Sequence, residues 1–176
     1  MGDVIKTAWA DVKFNNDFIC IETFSGYRSA QRDPSGVQYL IDPEADENEL
    51  GLALLDALMQ SRFVLPEPRS DIWIHPEVTF DAGFYDYKLT SQRYAVWVSN
   101  LMGAYGYKNK RSLFQNMKSC GVERNSDNLI IRPMHHEKLD AWSGKGKSES
   151  DNLVVSSKSS PAEIGRALRL AMNRCT

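Results

Sequence analysis

Cysteine and histidine are scarce in this 176-residue chain, with three of each. Cys20, Cys120 and Cys175 are odd in number and far apart, and no CxxC or CxxxxC spacing occurs. A disulfide scaffold is excluded, and structural zinc has no ligand spacing to use. Buried thiols in a reduced, cytosolic protein are the simplest account. No apolar run approaches the ~18 residues of a membrane span. Met1 to Thr7 lacks a basic start followed by a long apolar stretch, so no signal peptide is expected. Gly2 lacks the Ser or Thr that myristoylation wants at the sixth position, where Lys6 stands. There is no GxSxG, GxxxxGK[ST], GxGxxG or HExxH. Gly144-Lys145-Gly146-Lys147 is too short for a phosphate loop, and no strand leads into it. Excess charge is also missing: the net is −2, so nothing global demands nucleic acid or an anionic membrane.

What is present is ordinary globular usage, 42% hydrophobic and 25% charged. The length suits one domain over residues 1–176, with no linker long enough to divide it. The small net charge hides a split. Residues 1–87 hold six Lys/Arg and sixteen Asp/Glu, whereas residues 88–176 hold fifteen and seven, giving −10 against +8. Such asymmetry marks an interaction surface, unless the halves fold together and neutralise each other.

Strand and helix periodicities alternate along the chain. Trp9 to Phe24 reads as a hairpin turning at Asn15-Asn16, and Val37 to Ile41 as a third strand. Asp46 with Glu49 fits a capping box, and Leu50, Ala53, Leu54, Ala57 and Leu58 form one helical stripe. Pro66, Pro68 and Pro76 break residues 63–90, although Trp73 and Phe80 suggest packing on the body. A second helix is expected from Thr90 or Ser91, with Tyr94, Trp97, Val98, Leu101 and Tyr105 inward and Gly103 and Gly106 at its end. Residues 111–124 and 128–134 read as a second hairpin, residues 145–152 as a solvated loop, and Leu153 to Val155 as a short strand. Ser160-Pro161-Ala162-Glu163 starts a last helix running to about Arg174. The sum is an α+β fold: a largely antiparallel sheet packed with three main helices. The two end helices share a pattern, Glu49-Leu-Gly-Leu-Ala-Leu-Leu-Asp-Ala-Leu58 against Glu163-Ile-Gly-Arg-Ala-Leu-Arg-Leu-Ala-Met172. A helix-interior glycine costs roughly 1 kcal/mol against alanine, so Gly51 and Gly165 imply a close approach of each helix to the sheet.

Several groups invite chemistry. His135-His136, near Arg132, Glu137 and Asp140, suggests an acid/base or metal site, but neighbours on a strand point to opposite faces. Cys120 has no local motif of a nucleophile. Tyr105-Gly-Tyr-Lys-Asn-Lys-Arg111, with Phe114 and Lys118, interleaves aromatic and basic residues as a single-strand nucleic-acid binder does. A pI of 5.9 argues the other way. The most distinctive electrostatic feature is acidic. Residues 33–61 contain no Lys or Arg, and Asp42, Glu44, Asp46, Glu47 and Glu49 crowd into a helix start. The helix dipole accounts for two or three of these carboxylates, and the remainder can face a basic partner.

An ordered set of segments resembles a known family. Ser25-Gly26-Tyr27-Arg28, Tyr39-Leu-Ile-Asp-Pro43 leading into Glu49-Leu-Gly51, and Ala57-Leu-Met-Gln-Ser-Arg62 come first. Tyr105-Gly-Tyr-Lys108, Leu113-Phe-Gln-Asn-Met-Lys-Ser119, Ile131-Arg-Pro133, Asp140-Ala-Trp142 and Glu163-Ile-Gly-Arg-Ala-Leu168 to Cys175 follow. Together they resemble the CdiI-type immunity proteins of bacterial contact-dependent growth inhibition, over about residues 18–175. The resemblance implies a cytoplasmic protein that binds the C-terminal toxin domain of a large secreted effector, with no catalysis and no cofactor. Such toxins are often nucleases. A nuclease holds phosphate with Lys and Arg, so carboxylates at Asp42, Glu44, Asp46, Glu47 and Glu49 can stand in for phosphates against it. An exposed sheet edge accepting a toxin strand is a further mode. The readings from other classes are a nucleic-acid-binding module using the basic half, and a small hydrolase using His135 or His136.

Overall fold

The computed structural model describes residues 3–176, so the reading of Gly2 lies outside the described residues. Its centre is an antiparallel sheet. Strands β1 (Ala8–Phe14) and β2 (Ile19–Gly26) form the expected hairpin, with Val12 opposite Ile21. Strands β3 (Ala30–Arg32) and β4 (Gln38–Ile41) both pair with β2, one beyond the other along the same edge. On the other side of β1 lie β7 (Lys118–Arg124), β8 (Asn128–Pro133) and β11 (Leu153–Ser156). Two small pairs stand outside this sheet: β5 (Val64–Leu65) with β6 (Thr79–Phe80), and β9 (His135–Lys138) with β10 (Ala141–Ser143).

Strand alternation makes the sheet two-sided. Ala10, Val12, Ile19, Ile21, Cys120, Val122, Leu129 and Ile131 face helices α1 (Glu47–Met59) and α4 (Pro161–Arg174). Leu50, Leu54, Leu58, Ile164 and Leu168 are buried there, each contributing about 1.5–3 kcal/mol by leaving water. The opposite face carries a second core, built by Phe18 and Cys20 against Trp97, Val98 and Leu101 of α2 (Tyr87–Tyr105) and Leu113 and Phe114 of α3 (Lys110–Phe114).

The repeated glycines do pack closely, but against each other's helix rather than the sheet. A Cβ on Gly51 would lie 1.7 Å from the Pro161 carbonyl oxygen, and one on Gly165 would lie 1.7 Å from that of Glu47. The shared sequence pattern therefore encodes a reciprocal helix crossing.

Other expectations need correction. The second helix begins at Tyr87, not at Thr90 or Ser91, because the Asp86 carboxylate accepts the Leu89 N–H and caps it. Residues 110–114 form a helical turn instead of strand, capped reciprocally by Asn109 and Ser112. Only half of the box at α1 forms: Asp46 accepts the Glu49 N–H at 2.8 Å. Trp73 and Phe80 are 55% and 44% exposed rather than packed. Residues 62–86 are instead held by Phe63, Val64 and Phe84, and by Arg62, which binds Asp33 at 2.7 Å and Asp81 at 2.8 Å.

Candidate functional site

The acidic cluster lies where β4 ends and α1 begins, and local structure engages its members unequally. Asp42 accepts the Glu44 N–H at 2.8 Å and orders the turn. Asp46 is the helix cap. Glu47 faces Arg166 of α4 at 3.5 Å, while Arg169 donates to the carbonyls of Pro43 (2.6 Å) and Ala45, pinning the turn's backbone. Glu44 and Glu49 are exposed and enter no ion pair among the described residues. They are the carboxylates that the fold leaves for solvent or a partner.

A groove of about 490 Å³ runs from this cluster between β4 and α1. Asp46, Glu49 and Asp56 give it an acidic rim, and Tyr39 donates its hydroxyl hydrogen to Asp56. That bond raises the Tyr39 hydroxyl above its ordinary range. Leu40 and Leu52 border it, 41% and 52% exposed. Apolar side chains inside a charged rim are the anatomy of a protein interface. Sequence reasoning passed over these two leucines. Leu52 lies off the α1 stripe, a signal that was available, whereas Leu40 became visible once β4 proved to be an edge strand. Among the described residues β4 pairs with β2 alone, so its other backbone edge is open.

The sheet's second face holds charge of a different kind. Asp11, Lys13, Glu22 and Arg32 project there, on the side opposite Val12 and Ile21. Lys13 pairs with Asp11, and Arg32 grips Glu22 with two bonds of 2.9 and 2.8 Å. The Arg32 guanidinium stacks 3.9 Å from the Trp97 ring, and the Lys13 ammonium lies 4.8 Å from that of Trp142. Burial pushes the Glu22 carboxyl up, against the pull of Arg32. A cleft of about 370 Å³ opens beside these pairs, under Trp142 and Asp140. Its carboxylates and cations are matched to each other, an arrangement that fixes the sheet face more than it offers a reactive group.

His135 bonds the Thr176 hydroxyl at 2.8 Å. His136 stacks on Trp142 with ring centres 4.9 Å apart and contacts the Leu139 carbonyl at 2.7 Å. They diverge as strand neighbours must, and no metal-ligand cluster exists among the described residues. Cys120 is fully buried beside Cys175. In the basic-aromatic stretch, Tyr105 stacks on Phe18 at 4.8 Å, Tyr107 bonds Asp17 and Asn15, and Phe114 is buried. Phe114 serves the core, while Tyr105 and Tyr107 are half-buried against it and held by Phe18, Asp17 and Asn15.

The charge split survives folding. Of eight ion pairs among the described residues, Arg166–Glu47 alone joins the two halves. Five of the six cations in residues 1–87 pair with acids of that same half, and the basic half reaches the acidic cluster through Arg166 and Arg169, leaving Glu44 and Glu49 without an ion partner among the described residues.

Comparison with known proteins agrees in sequence and in shape. The CdiI family model, described as CDI immunity protein, matches residues 8–175. Immunity protein CdiI-YPIII of Yersinia pseudotuberculosis serotype O:3 (strain YPIII) is 57% identical over 175 residues, covering 99% of both chains. A chain of the solved CdiA-CT/CdiI toxin and immunity complex from Yersinia pseudotuberculosis superposes with a TM-score of 0.97 at 56% identity, covering 99% of this chain and 100% of that one. A Neisseria meningitidis protein of unknown function has the same fold, with a TM-score of 0.82 at 33% identity, covering 100% of this chain and 99% of that one. In sequence and in fold, over nearly its whole length, the chain belongs to the family of CDI immunity proteins.

Proposed function

We propose that this chain is a cytoplasmic immunity protein that binds and neutralises the C-terminal toxin domain of a contact-dependent growth inhibition effector, and that this toxin is a nuclease. The observation that carries the reading is full-length similarity, at 56% identity and a TM-score of 0.97, to a chain of a toxin and immunity complex. Neutralisation by binding asks for a complementary surface rather than for catalysis or a cofactor. The surface that best fits a basic, phosphate-gripping partner is the acidic groove at the start of α1. Asp46 and Glu49 line it with Asp56, Leu40 and Leu52 border it, and Asp42, Glu44 and Glu47 extend its charge along the adjoining turn and helix start. Glu44 and Glu49 reach the toxin directly in this reading, while Asp42 and Asp46 shape the turn that presents them. The three free, buried cysteines suit a reducing cytoplasm.

Growth rescue tests the proposal. The toxin domain of the cognate effector, induced in bacteria alone, is expected to stop growth and to leave degraded nucleic acid. Co-production of this chain should restore growth and leave nucleic acid intact. Arrest that persists with the chain present at high level would overturn the immunity reading. Rescue from an arrest with intact nucleic acid would overturn the nuclease assignment alone.

A further inference from the structure

Two of the three cysteines meet across the fold. Cys120 sits in the middle of β7, opposite Val12 and Pro133, and is fully buried. Cys175 follows the last turn of α4 and is 4% exposed. Their sulfurs lie 3.4 Å apart. The Cys175 thiol is also within reach of the Ser119 carbonyl at 3.3 Å and the Ala171 carbonyl at 3.4 Å. A disulfide needs about 2.05 Å between sulfurs, so closure requires about 1.4 Å of approach. That movement falls on a short tail: Thr176 is held by its N–H on the Met134 carbonyl (3.2 Å) and by its carbonyl on the His136 N–H (2.8 Å).

We propose that Cys120 and Cys175 form a reversible redox site, closing to an intramolecular disulfide when the protein meets a small-molecule disulfide such as oxidised glutathione. Three features support it. The geometry pairs two thiols fifty-five positions apart in sequence, in a chain whose third thiol, Cys20, lies in the other core on the far side of the sheet. Cys120 hydrogen-bonds to Cys175 and pulls that thiol below its ordinary range despite burial, while Cys120 itself is pushed up. Cys175 is then the attacking sulfur, since the thiolate is the nucleophile. Finally, Cys175 is the C-cap of α4 and lies outside the sheet, so fraying of the helix's last turn gives an oxidant access to it without unfolding the sheet.

The exchange balances. The Cys175 thiolate attacks one sulfur of oxidised glutathione, the glutathione S–S bond breaks, and one glutathione leaves and takes up a proton. Cys120 then loses its proton to solvent and attacks the Cys175 sulfur. The Cys175–glutathione bond breaks, and a second glutathione leaves and is protonated. Two protein thiols have given two electrons and two protons to one glutathione disulfide, yielding two thiols. The product ties the tail to β7, and through Met134 and His136 it fixes the start of β9.

Folded protein is incubated with oxidised glutathione and its mass is read; it is then denatured, alkylated and mapped by mass spectrometry, since all three thiols are buried in the fold. The expected product is lighter by two hydrogens before alkylation, and afterwards has the Cys120 and Cys175 peptides joined and Cys20 alone alkylated. Closing so long a loop should raise the melting temperature by roughly 5–15 °C, reversed by dithiothreitol. Cys175→Ala should show neither the mass loss nor the rise. Alkylation of both Cys120 and Cys175 after incubation, or a glutathione adduct that never resolves to the joined peptide, would overturn the proposal. Mapping of the wild-type protein decides this whether or not the variant folds.

Discussion

Glycine in the middle of a helix is ordinarily a weakness, and changing it to alanine ordinarily stabilises by up to ~1 kcal/mol. At Gly51 and Gly165 the sign should reverse. Each new Cβ would sit 1.7 Å from a backbone oxygen of the opposing helix, which no side-chain rotation can relieve. Gly51→Ala and Gly165→Ala are each expected to lower unfolding free energy by about 1–3 kcal/mol in urea titrations, as overpacked sites do. Asp33 offers a second residue-level test. Its buried carboxylate accepts from the hydroxyls of Ser25 (2.7 Å) and Ser35 (2.6 Å) and from Arg62. Burial pushes the group up, but the bonds from Arg62, Ser35 and Ser25 together hold it below the usual carboxylate range. A carboxyl lowered in the folded state stabilises at pH above its unfolded value, and that stability fades as pH falls through the folded value. Asp33→Asn should therefore be clearly less stable than wild type at neutral pH, and the gap should narrow below about pH 4.

The element that decides the proposed interface is β4. Thr23 donates its N–H to the Val37 carbonyl at 3.0 Å, so by antiparallel alternation Tyr39 is the next residue bonded to β2. The N–H and carbonyl of Leu40 then point away from β2, toward the open edge. If the toxin adds a strand there, Leu40→Pro should abolish binding without breaking the ladder, since proline is tolerated on an outward-facing edge position. Leu40→Ala, which keeps the N–H, should retain strand pairing and lose only apolar contact, seen as a modest loss of affinity by calorimetry. Equal affinity of the Leu40→Pro variant and wild type would remove β4 from the interface. Elements of this kind separate what was legible in the sequence from what was not. The first hairpin and the start of α4 were legible because alternation, Asn15-Asn16 and Ser160-Pro161-Glu163 act locally. Strands β3, β5, β6, β9 and β10 have two to four residues each, and tertiary pairing rather than local preference selects them. Helix α3 was hidden for a related reason: its Asn109 cap serves a single turn. The acidic run itself was legible, as was the capping role of Asp46. The engagement of Glu47 by Arg166, and of the turn by Arg169, was not, because it joins groups more than one hundred positions apart.

At the scale of the whole molecule, the near-neutral total conceals a charge arrangement that folding preserves. The N-terminal half pairs most of its own few cations internally, at Lys13–Asp11, Arg32–Glu22 and Arg62–Asp33, and still carries an uncancelled excess around α1. Such a field steers a basic partner and raises the association rate in a salt-dependent way. The structure also says which charges to reverse. A change at Asp46 would remove a helix cap, costing about 1 kcal/mol of fold stability, and would confuse folding with binding. Neither Glu44 nor Glu49 caps the helix with its side chain; Glu49, in the first turn, has only the weaker helix-dipole term of about 0.3–1 kcal/mol. The most direct test is therefore the association rate of the cognate toxin domain with wild type and with the Glu44→Lys, Glu49→Lys double variant, across a salt series. The account predicts a wild-type rate that falls steeply with salt, and a variant rate lower by about tenfold or more at low salt with a flattened salt slope. Equal rates and equal salt slopes for the two proteins would contradict the acidic groove as the toxin-facing surface.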